Sequence, residues 1–270
     1  MEKIIRVENV AFSYDKTTPF IEDLSFSIEK GTYVCIIGAN GSGKTTVSRL
    51  ISGLVNSDKG DIFIDGILLN GSSINQIRDY IGVIFQNPDN QYVATSLKED
   101  IIFGLENHNV DPMVMDEIVN RVSIECGVKE LLNKEPASMS GGQKQKGAIA
   151  GILALNPKIL ILDEASSMLD PISKSELNNL IFKLKEEKGL TVISITHDTN
   201  EVLRADKVIM LEKGKIIFEG TKEQFFEMDS CEFSVELPYI IELEKGLGYK
   251  NYVDEETFFK SVGEYDENRI

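Results

Sequence analysis

The segment from Gly38 to Thr45 constrains this chain more than any other, because it fits the phosphate-binding pattern GxxxxGK[ST] at every fixed position. An apolar run, Tyr33–Ile37, precedes it, and a helical pattern follows it as far as Leu54. Glycines let such a loop curl so that its N–H groups point at an anion, and the helix adds its positive end. The segment therefore predicts a nucleoside triphosphate site and not an ordinary Gly-rich turn. The predicted binding residues are Gly38, Ala39, Asn40, Gly41, Ser42, Gly43, Lys44, Thr45 and Thr46.

Two loop residues and two carboxylates further along the chain fit the binding and hydrolysis of a magnesium-bound triphosphate. Lys44 is expected to reach the β- and γ-phosphates, and the Thr45 hydroxyl to ligate Mg²⁺. The apolar run Ile159–Leu162 delivers Asp163 and Glu164 at its carboxyl end, where open α/β sheets bind ligands. Asp163 is predicted to hold the Mg²⁺ shell and Glu164 to polarise the attacking water. An ordinary turn that begins with Asp is the alternative.

Composition sets broad limits. The 270 residues suffice for one large domain, or for one domain with an appendage, and 42% hydrophobic with 27% charged residues is typical of a soluble protein. No stretch approaches the roughly 18–20 apolar residues of a membrane span, and the first residues are unlike a signal peptide. Cys35, Cys126 and Cys231 are too scattered to indicate a disulfide framework or a zinc site. We expect a cytosolic protein.

The net charge of −16 narrows the partners. The chain has 28 basic and 44 acidic residues, whereas a nucleic acid backbone requires a basic surface. We therefore expect no nucleic acid partner. An anionic membrane leaflet would also repel this surface, so any contact with a membrane should pass through another protein. Alternatively, the acidity serves only solubility.

The order of predicted elements indicates an α/β fold. Alternating segments at the start predict antiparallel strands, and two hairpins should turn at Asp65-Gly66 and Lys213-Gly214. Residues 87–136 are helix-rich. Two continuous apolar runs with an amphipathic helix between them predict a βαβ unit with central parallel strands. The runs are Ile159–Leu162 and Thr191–Ile195, and the helix is Ser175–Lys188.

The last fifth of the chain differs in character. Residues 221–270 contain thirteen acidic and five basic residues, a net charge of −8. Apolar clusters at helical spacing nevertheless predict a small folded appendage that packs on the main domain or on a partner. These clusters are Phe225-Phe226, Leu237, Tyr239–Ile241 and Phe258-Phe259.

Ser140-Gly141-Gly142-Gln143, roughly twenty residues before the Asp163-Glu164 strand, forms a second candidate anion site at a helix start. In this position it resembles the signature motif of ATP-binding cassette (ABC) ATPases. Taken singly, His197 could be a structural histidine and Tyr14 a packing residue, but both fall in the family's order. The resemblance extends to Gln86 as the Q-loop residue, Ser167–Asp170 as the D-loop, His197 as the switch histidine and Tyr14 as the adenine-stacking aromatic.

The resemblance implies a fold and a mechanism. The fold is an α/β P-loop NTPase core with an antiparallel β subdomain and a helical subdomain, plus a small helical C-terminal appendage. The cassette should span residues 1–220, with the helical subdomain at about 87–150. Two cassettes should close head to tail on ATP, so that Ser140–Gln143 and Asp170 serve a partner's nucleotide. By resemblance Glu164 is the base, His197 contacts the γ-phosphate, and Gln86 senses it and helps to hold Mg²⁺.

Asn87–Gln91, together with Ser167–Pro171, is similar to the first of the two paralogous ATPases of energy-coupling factor (ECF) transporters. That similarity implies a transporter that takes up a vitamin or a transition-metal ion. The ATPase subunit would lie at the cytoplasmic face of the cell membrane. The implied partners are a paralogous ATPase or a second copy, a transmembrane T component and a substrate-binding S component. Residues 221–270 would then be a dimerisation element. Asp89, Glu99 and Asp100 are candidates to meet basic residues of the T component, or are simple surface charges.

Alternatives and departures remain. Another ABC importer, a non-transport ABC protein and a regulator without turnover are the competing functions. Too few residues separate Lys44 from Asp163 in the sequence for the long coiled coil of a DNA-repair clamp. The presence of Glu164 and His197 argues against a regulator without turnover. The signature region departs from the family pattern at Met139, Lys146 and Gly147. Of these, Gly147 lowers helix propensity by about 1 kcal/mol relative to Ala.

Overall fold

The computed structural model describes residues 2–228, 236–249, 252–253 and 257–258. An antiparallel sheet of four strands opens the fold, in the order β2-β1-β4-β5. Buried and exposed residues alternate along parts of β1, as the sequence predicted for half-buried strands. The hairpin between β4 and β5 turns at Asp65-Gly66, both with positive φ. The strands are β1 (Lys3–Phe12), β2 (Ile21–Glu29), β4 (Lys59–Ile64) and β5 (Ile67–Leu68).

A second sheet has six strands in the order β10-β9-β3-β8-β7-β6. All of its neighbouring strands pair in parallel except the β9–β10 hairpin. Because β3, β7 and β8 run in parallel, the segments that follow them meet at one edge of the sheet. The strands are β3 (Tyr33–Ile37), β6 (Ile81–Ile84), β7 (Ile159–Asp163), β8 (Thr191–Thr196), β9 (Lys207–Glu212) and β10 (Lys215–Gly220).

Two hydrophobic clusters cover the two faces of the parallel sheet. Along β3, Val34 and Ile36 face the antiparallel sheet and the first helix, whereas Tyr33, Cys35 and Ile37 face the other helices. This explains why the central strands are continuously apolar. The helices are α1 (Lys44–Ile51), α2 (Ile74–Arg78), α3 (Leu97–Asn107), α4 (Pro112–Glu125), α5 (Gly141–Ala154), α6 (Pro171–Lys188), α7 (Thr199–Val202), α8 (Lys222–Glu227) and α9 (Tyr239–Leu247).

The helix after the phosphate loop is shorter than the sequence pattern predicted. α1 ends at Ile51, and Leu54 lies beyond it with 51% of its surface exposed. The reason is Gly53, whose φ of 67° is incompatible with a continued right-handed helix.

The helix predicted from Ser175 instead begins at Pro171. The Asp170 carboxylate accepts hydrogen bonds from the backbone N–H groups of Ile172 and Ser173, at 3.1 and 3.0 Å. An Asp cap followed by Pro at the first helical position is a strong start signal. It extends α6 by about one turn at its N-terminal end.

The described part of the C-terminal segment packs on the rest of the chain. Phe226, Ile240, Ile241 and Phe258 are buried in the same hydrophobic cluster as the helix-facing side of the parallel sheet. Glu244 is also fully buried, and its carboxylate accepts a hydrogen bond from the backbone N–H of Tyr252 at 2.7 Å.

Cys231 and Phe259, which the sequence analysis named, lie outside the described residues. Within the described ranges no helix is both long and apolar enough to cross a membrane.

Candidate functional site

The phosphate loop connects β3 to α1 at the edge of the parallel sheet where β3, β7 and β8 end. A side chain at Gly38 is excluded, because its Cβ would lie 2.3 Å from the backbone oxygen of Leu211. Gly43 has a φ of 111° and immediately precedes α1. The loop therefore curls tightly over the N-terminus of the helix, which is the geometry that an anion site requires.

Lys44 lies inside this loop. Its Nζ donates to the backbone oxygens of Gly38 and Ala39, at 2.8 and 3.2 Å, and is 4.0 Å from Oε1 of Glu164. Burial lowers the pKa of Lys44, and the nearby carboxylates of Glu164 and Asp163 oppose that effect. The ammonium group is thus buried at the loop on two carbonyl oxygens, which a phosphate could replace with a stronger, charge-assisted partner.

Ser42 provides an independent indication that a phosphate fits here. Its hydroxyl oxygen is buried and has no hydrogen-bond partner in the part of the chain that the structure describes. An unpaired buried hydroxyl costs free energy unless a ligand pairs with it. A phosphate oxygen in the loop would be such a partner.

Thr45 and Asp163 form a candidate metal site. The Thr45 hydroxyl and Oδ1 of Asp163 lie 3.4 Å apart. Burial and the adjacent Glu164 charge raise the pKa of Asp163, while the Thr45 hydrogen bond lowers it. A carboxylate that has lost water near a second negative charge is well placed to receive a divalent cation, and oxygen ligands suit Mg²⁺.

Glu164 lies between the other two predicted catalytic residues, Gln86 and His197. Gln86 donates from its side-chain amide to Oε2 of Glu164 at 3.2 Å and to the Ser167 hydroxyl at the same distance. Nδ1 of His197 is 3.8 Å from Oε1 of Glu164. The backbone of Glu164 has a φ of 53°, an uncommon conformation for a residue with a side chain. The structure thus brings Gln86, Glu164 and His197 together at one edge of the sheet.

The Ser140-Gly141-Gly142-Gln143 turn caps α5. Gln143 N–H donates to the Ser140 hydroxyl at 3.3 Å, and Ser140 N–H donates to the Gln143 side chain at 3.1 Å, a reciprocal capping box. A Cβ at Gly142 would approach the Ser173 side chain to 2.9 Å. Among the described residues no hydrogen bond or ion pair joins this turn to the phosphate loop of its own chain.

Tyr14 and Asp170 occupy different surroundings. Tyr14 is 58% exposed, its hydroxyl lies 2.8 Å from that of Thr46, and Phe12 packs edge-on against its ring at 4.8 Å. The exposed ring leaves room for a base. Asp170, by contrast, caps α6, and hydrogen bonds from Ser173 and Ile172 lower its pKa.

The three acidic residues considered as docking charges all have contacts within the chain. Asp89 forms an ion pair with Lys144 at 2.6 Å. Asp100 accepts from the N–H groups of Val93 and Ala94, and Glu99 accepts from the Thr95 hydroxyl at 2.5 Å. Their contacts stabilise the loop between β6 and α3.

Sequence reasoning missed Glu201, which lies behind the site on α7. It is fully buried, and its two carboxylate oxygens accept from the hydroxyls of Ser166 and Ser194, at 2.6 and 2.5 Å. Burial raises its pKa, although both serine hydrogen bonds oppose the shift. Glu201 thereby connects the segment after Glu164 to the strand that ends before His197.

Comparison with known proteins places this geometry in a class. The ABC transporter family matches residues 21–167. In structure the chain is similar to cbiO1 from Clostridium perfringens, part of the ABC transporter complex cbiONQ, with a TM-score of 0.80 and 31% identity over 91% of this chain and 100% of that one. It is also similar to a dimeric ATP-binding cassette, MJ0796, in a post-hydrolysis state with ADP and Pi, with a TM-score of 0.71 and 27% identity over 81% and 98% of the two chains. The molecule is an ABC ATPase, and the predicted fold class is confirmed.

Relatives in sequence narrow the class. The chain is 46% identical to the energy-coupling factor transporter ATP-binding protein EcfA of Malacoplasma penetrans, covering 93% of this chain and 88% of the relative. It is 44% identical to EcfA1 of Listeria monocytogenes serovar 1/2a, covering 91% and 89% of the two chains. For EcfA1 of Lactobacillus delbrueckii subsp. bulgaricus the identity is 41%, covering 94% of each. The chain belongs to the family of energy-coupling factor transporter ATP-binding proteins, which confirms the resemblance drawn from its motifs.

Proposed function

We propose that this chain binds Mg-ATP and hydrolyses it as the ATPase subunit of an ECF-type importer. The observation that carries the proposal is the position of Glu164, between the amide of Gln86 and the imidazole of His197 and 4.0 Å from the ammonium of Lys44. That arrangement brings a candidate base beside a phosphate loop. ATP is the proposed substrate, because the chain matches the ABC transporter family and its relatives in sequence are ATP-binding proteins.

The binding step uses the loop. Lys44 would release its bonds to Gly38 and Ala39 and pair with the terminal phosphates, while the Ser42 hydroxyl would gain its missing partner. Thr45 and Asp163, with Gln86 nearby, would hold Mg²⁺, which when bound neutralises charge on the β- and γ-phosphate oxygens. The described residues contain no cluster of three or more His, Cys, Asp or Glu that could hold a metal alone. Mg²⁺ commonly keeps water molecules and takes substrate phosphates beside one or two protein ligands, so Thr45 and Asp163 would suffice as its protein ligands.

Hydrolysis uses the carboxylate beside the loop. Glu164 would accept the proton of a water molecule attacking the γ-phosphate, and Gln86 would orient the carboxylate through the 3.2 Å hydrogen bond to Oε2. His197, whose side chain is 58% exposed, would contact the γ-phosphate. Tyr14 would stack on the adenine.

The Ser140–Gln143 turn is assigned to a second cassette. Because no bond joins it to its own phosphate loop within the described residues, it is free to serve a nucleotide held by another subunit, with Asp170 alongside. The partner would be a paralogous ATPase or a second copy. The similarity to a cassette solved as a dimer supports this assembly. Residues 221–270 would add a second contact between the subunits, and residues 1–220 would form the cassette itself.

Contact with the membrane would be indirect. A transmembrane T component would dock on the helical subdomain, an S component would bind the vitamin or transition-metal ion, and the chain would lie at the cytoplasmic face. The similarity to cbiO1, part of the cbiONQ complex, supports such an assembly without naming the cargo.

Affinity purification from detergent-solubilised membranes tests the assembly. We expect the tagged chain to copurify with at least one multi-spanning membrane protein and a second cassette, and the complex to hydrolyse ATP. Lys44→Ala is the matched control, which should retain the same subunits and lose ATPase activity. Recovery of the chain without any membrane subunit, at full ATPase activity, would contradict the importer assignment.

A further inference from the structure

The segment that follows Gln86 is bonded to the helix that follows the Ser140–Gln143 turn. The Tyr92 hydroxyl donates to the backbone oxygen of Lys144 at 2.5 Å. Burial raises the pKa of Tyr92, so its hydroxyl stays protonated and remains a donor. From the helix side, the buried Gln145 side-chain amide donates to the backbone oxygens of Phe85 and Gln86, at 3.1 and 3.3 Å.

The side chain of Lys144 strengthens the same junction. Its Nζ pairs with Oδ1 of Asp89 at 2.6 Å, and only 13% of the Lys144 side chain is exposed. One residue thus binds Asp89 with its side chain and Tyr92 with its backbone. Since Lys144 directly follows Gln143, these bonds reach the capped turn within one residue.

Gly147 explains why Tyr92 can reach this position. A Cβ at residue 147 would lie 2.5 Å from Oη of Tyr92 and 3.0 Å from Cδ1 of Leu97. Gly147 has no positive φ, so the backbone does not require glycine there. Its cost in helix propensity, about 1 kcal/mol relative to Ala, is offset by the space that it leaves for the tyrosine. Gly147, a departure from the family pattern, is therefore explained by the tyrosine at position 92.

We propose that Tyr92 and Gly147 form a joint that makes residues 85–92 and the Ser140–Gln143 turn move as one body. Tyr92 is then a positioning residue, which aligns the turn according to the position of Gln86 at the nucleotide. Densely packed junctions of this kind shift as units and do not deform gradually. The inference rests on the proposed function, because the turn matters only if a nucleotide reaches both parts.

A repacking cycle tests the joint. Gly147→Ala improves helix propensity and yet places a methyl group 2.5 Å from the Tyr92 hydroxyl and 3.0 Å from Cδ1 of Leu97, so any loss must come from packing at this junction and not from the helix. We expect Gly147→Ala to lower kcat by at least about 5-fold while KM for ATP stays within about 2-fold. Adding Tyr92→Phe removes the closer of the two clashing atoms, the Tyr92 hydroxyl oxygen. The double variant should therefore recover to within about 2-fold of Tyr92→Phe alone.

Hydrogen exchange on the full chain, with and without Mg-ATP, gives a readout that a purely structural role would not move. In the wild type we expect Mg-ATP to change protection of residues 85–92 and 140–148 together, and in Gly147→Ala to change residues 85–92 only. A double variant with a kcat well below that of Tyr92→Phe alone would overturn the joint. So would a wild-type response of residues 85–92 without one at 140–148. If Mg-ATP leaves even residues 38–46 unprotected, the proposed function itself fails.

Discussion

The side-chain amide of Gln86 lies 3.2 Å from Oε2 of Glu164, although 78 positions separate the two residues in the chain. The bond crosses from the end of β6 to the end of β7, which are neighbouring parallel strands. It orients the carboxylate of the candidate base, and such preorganisation is a large part of enzymatic rate enhancement.

Removing this bond should affect turnover more than binding. We expect Gln86→Ala to lower kcat by about 10-fold, equivalent to about 1.4 kcal/mol of barrier, with little change in KM for ATP. Gln91→Ala is the matched control, because within the described ranges the one hydrogen bond of the Gln91 side chain is to the backbone oxygen of Phe85, at 3.4 Å. Steady-state phosphate release measures both variants. Equal kcat values for the two would remove Gln86 from the site.

Lys44 should determine nucleotide affinity. A buried ammonium within a glycine loop pairs with phosphate through charge-assisted hydrogen bonds worth roughly 1.5–3 kcal/mol, so Lys44→Ala should weaken ATP binding by at least about 10-fold. Lys213→Ala, at a side chain that is 90% exposed, is the control. Equilibrium dialysis with labelled ATP distinguishes them, and undiminished retention by Lys44→Ala would refute the loop assignment.

Glu201 should make stability depend on pH. Burial raises its pKa above the unfolded value of about 4.3, so its contribution to stability is fully present below that pH and is lost as pH rises through the folded pKa. Glu201→Gln does not titrate, so relative to wild type it should gain stability between pH 5 and pH 8. Denaturant midpoints at the two pH values measure this, with the exposed Glu223→Gln as control. A difference from wild type that does not vary with pH would contradict the assignment.

Within the described residues of the C-terminal segment, we expect the outer face of α9 to take part in subunit pairing. Tyr239 is 70% and Leu247 is 58% exposed, whereas Ile240 and Ile241 are buried. Deleting residues 221–270 would uncover the core, so a surface change is the sharper test. We expect Tyr239→Ser with Leu247→Ser to weaken association while ATP binding is retained.

Sedimentation velocity provides the measurement, on the chain with its copurifying ATPase, or with itself where none copurifies. Met113→Ser, at a methionine that is 90% exposed on α4, is the control. Association unchanged by the α9 substitutions would withdraw the pairing role of this face.

Local signals made much of the fold predictable. The phosphate loop, the turn at Asp65-Gly66 and the apolar parallel strands each depend on residues close together in sequence. The predicted helix ends were wrong where a local signal, Gly53 or the Asp170-Pro171 cap, set the end of the helix and the apolar spacing did not. Periodicity alone does not register such signals.

The contacts behind the site could not be read from the sequence. Glu201 pairs with Ser166, 35 positions away, and Tyr92 with Lys144, 52 positions away. Neither pair belongs to a motif, and a buried glutamate on a short helix has the sequence appearance of a surface residue. The sequence shows that Gly147 departs from the family pattern. Only the structure explains this glycine, because it shows the Tyr92 hydroxyl packed against it.

Glu164→Gln gives the most direct test, because it changes one oxygen to an amide nitrogen at the residue that Gln86, His197 and Lys44 surround. Phosphate release by the purified complex in Mg-ATP should fall by at least about 100-fold, or about 2.7 kcal/mol of barrier, while ATP binding persists and the paired cassettes stay closed. Phosphate release at the wild-type rate would contradict the role of Glu164 as the base for ATP hydrolysis.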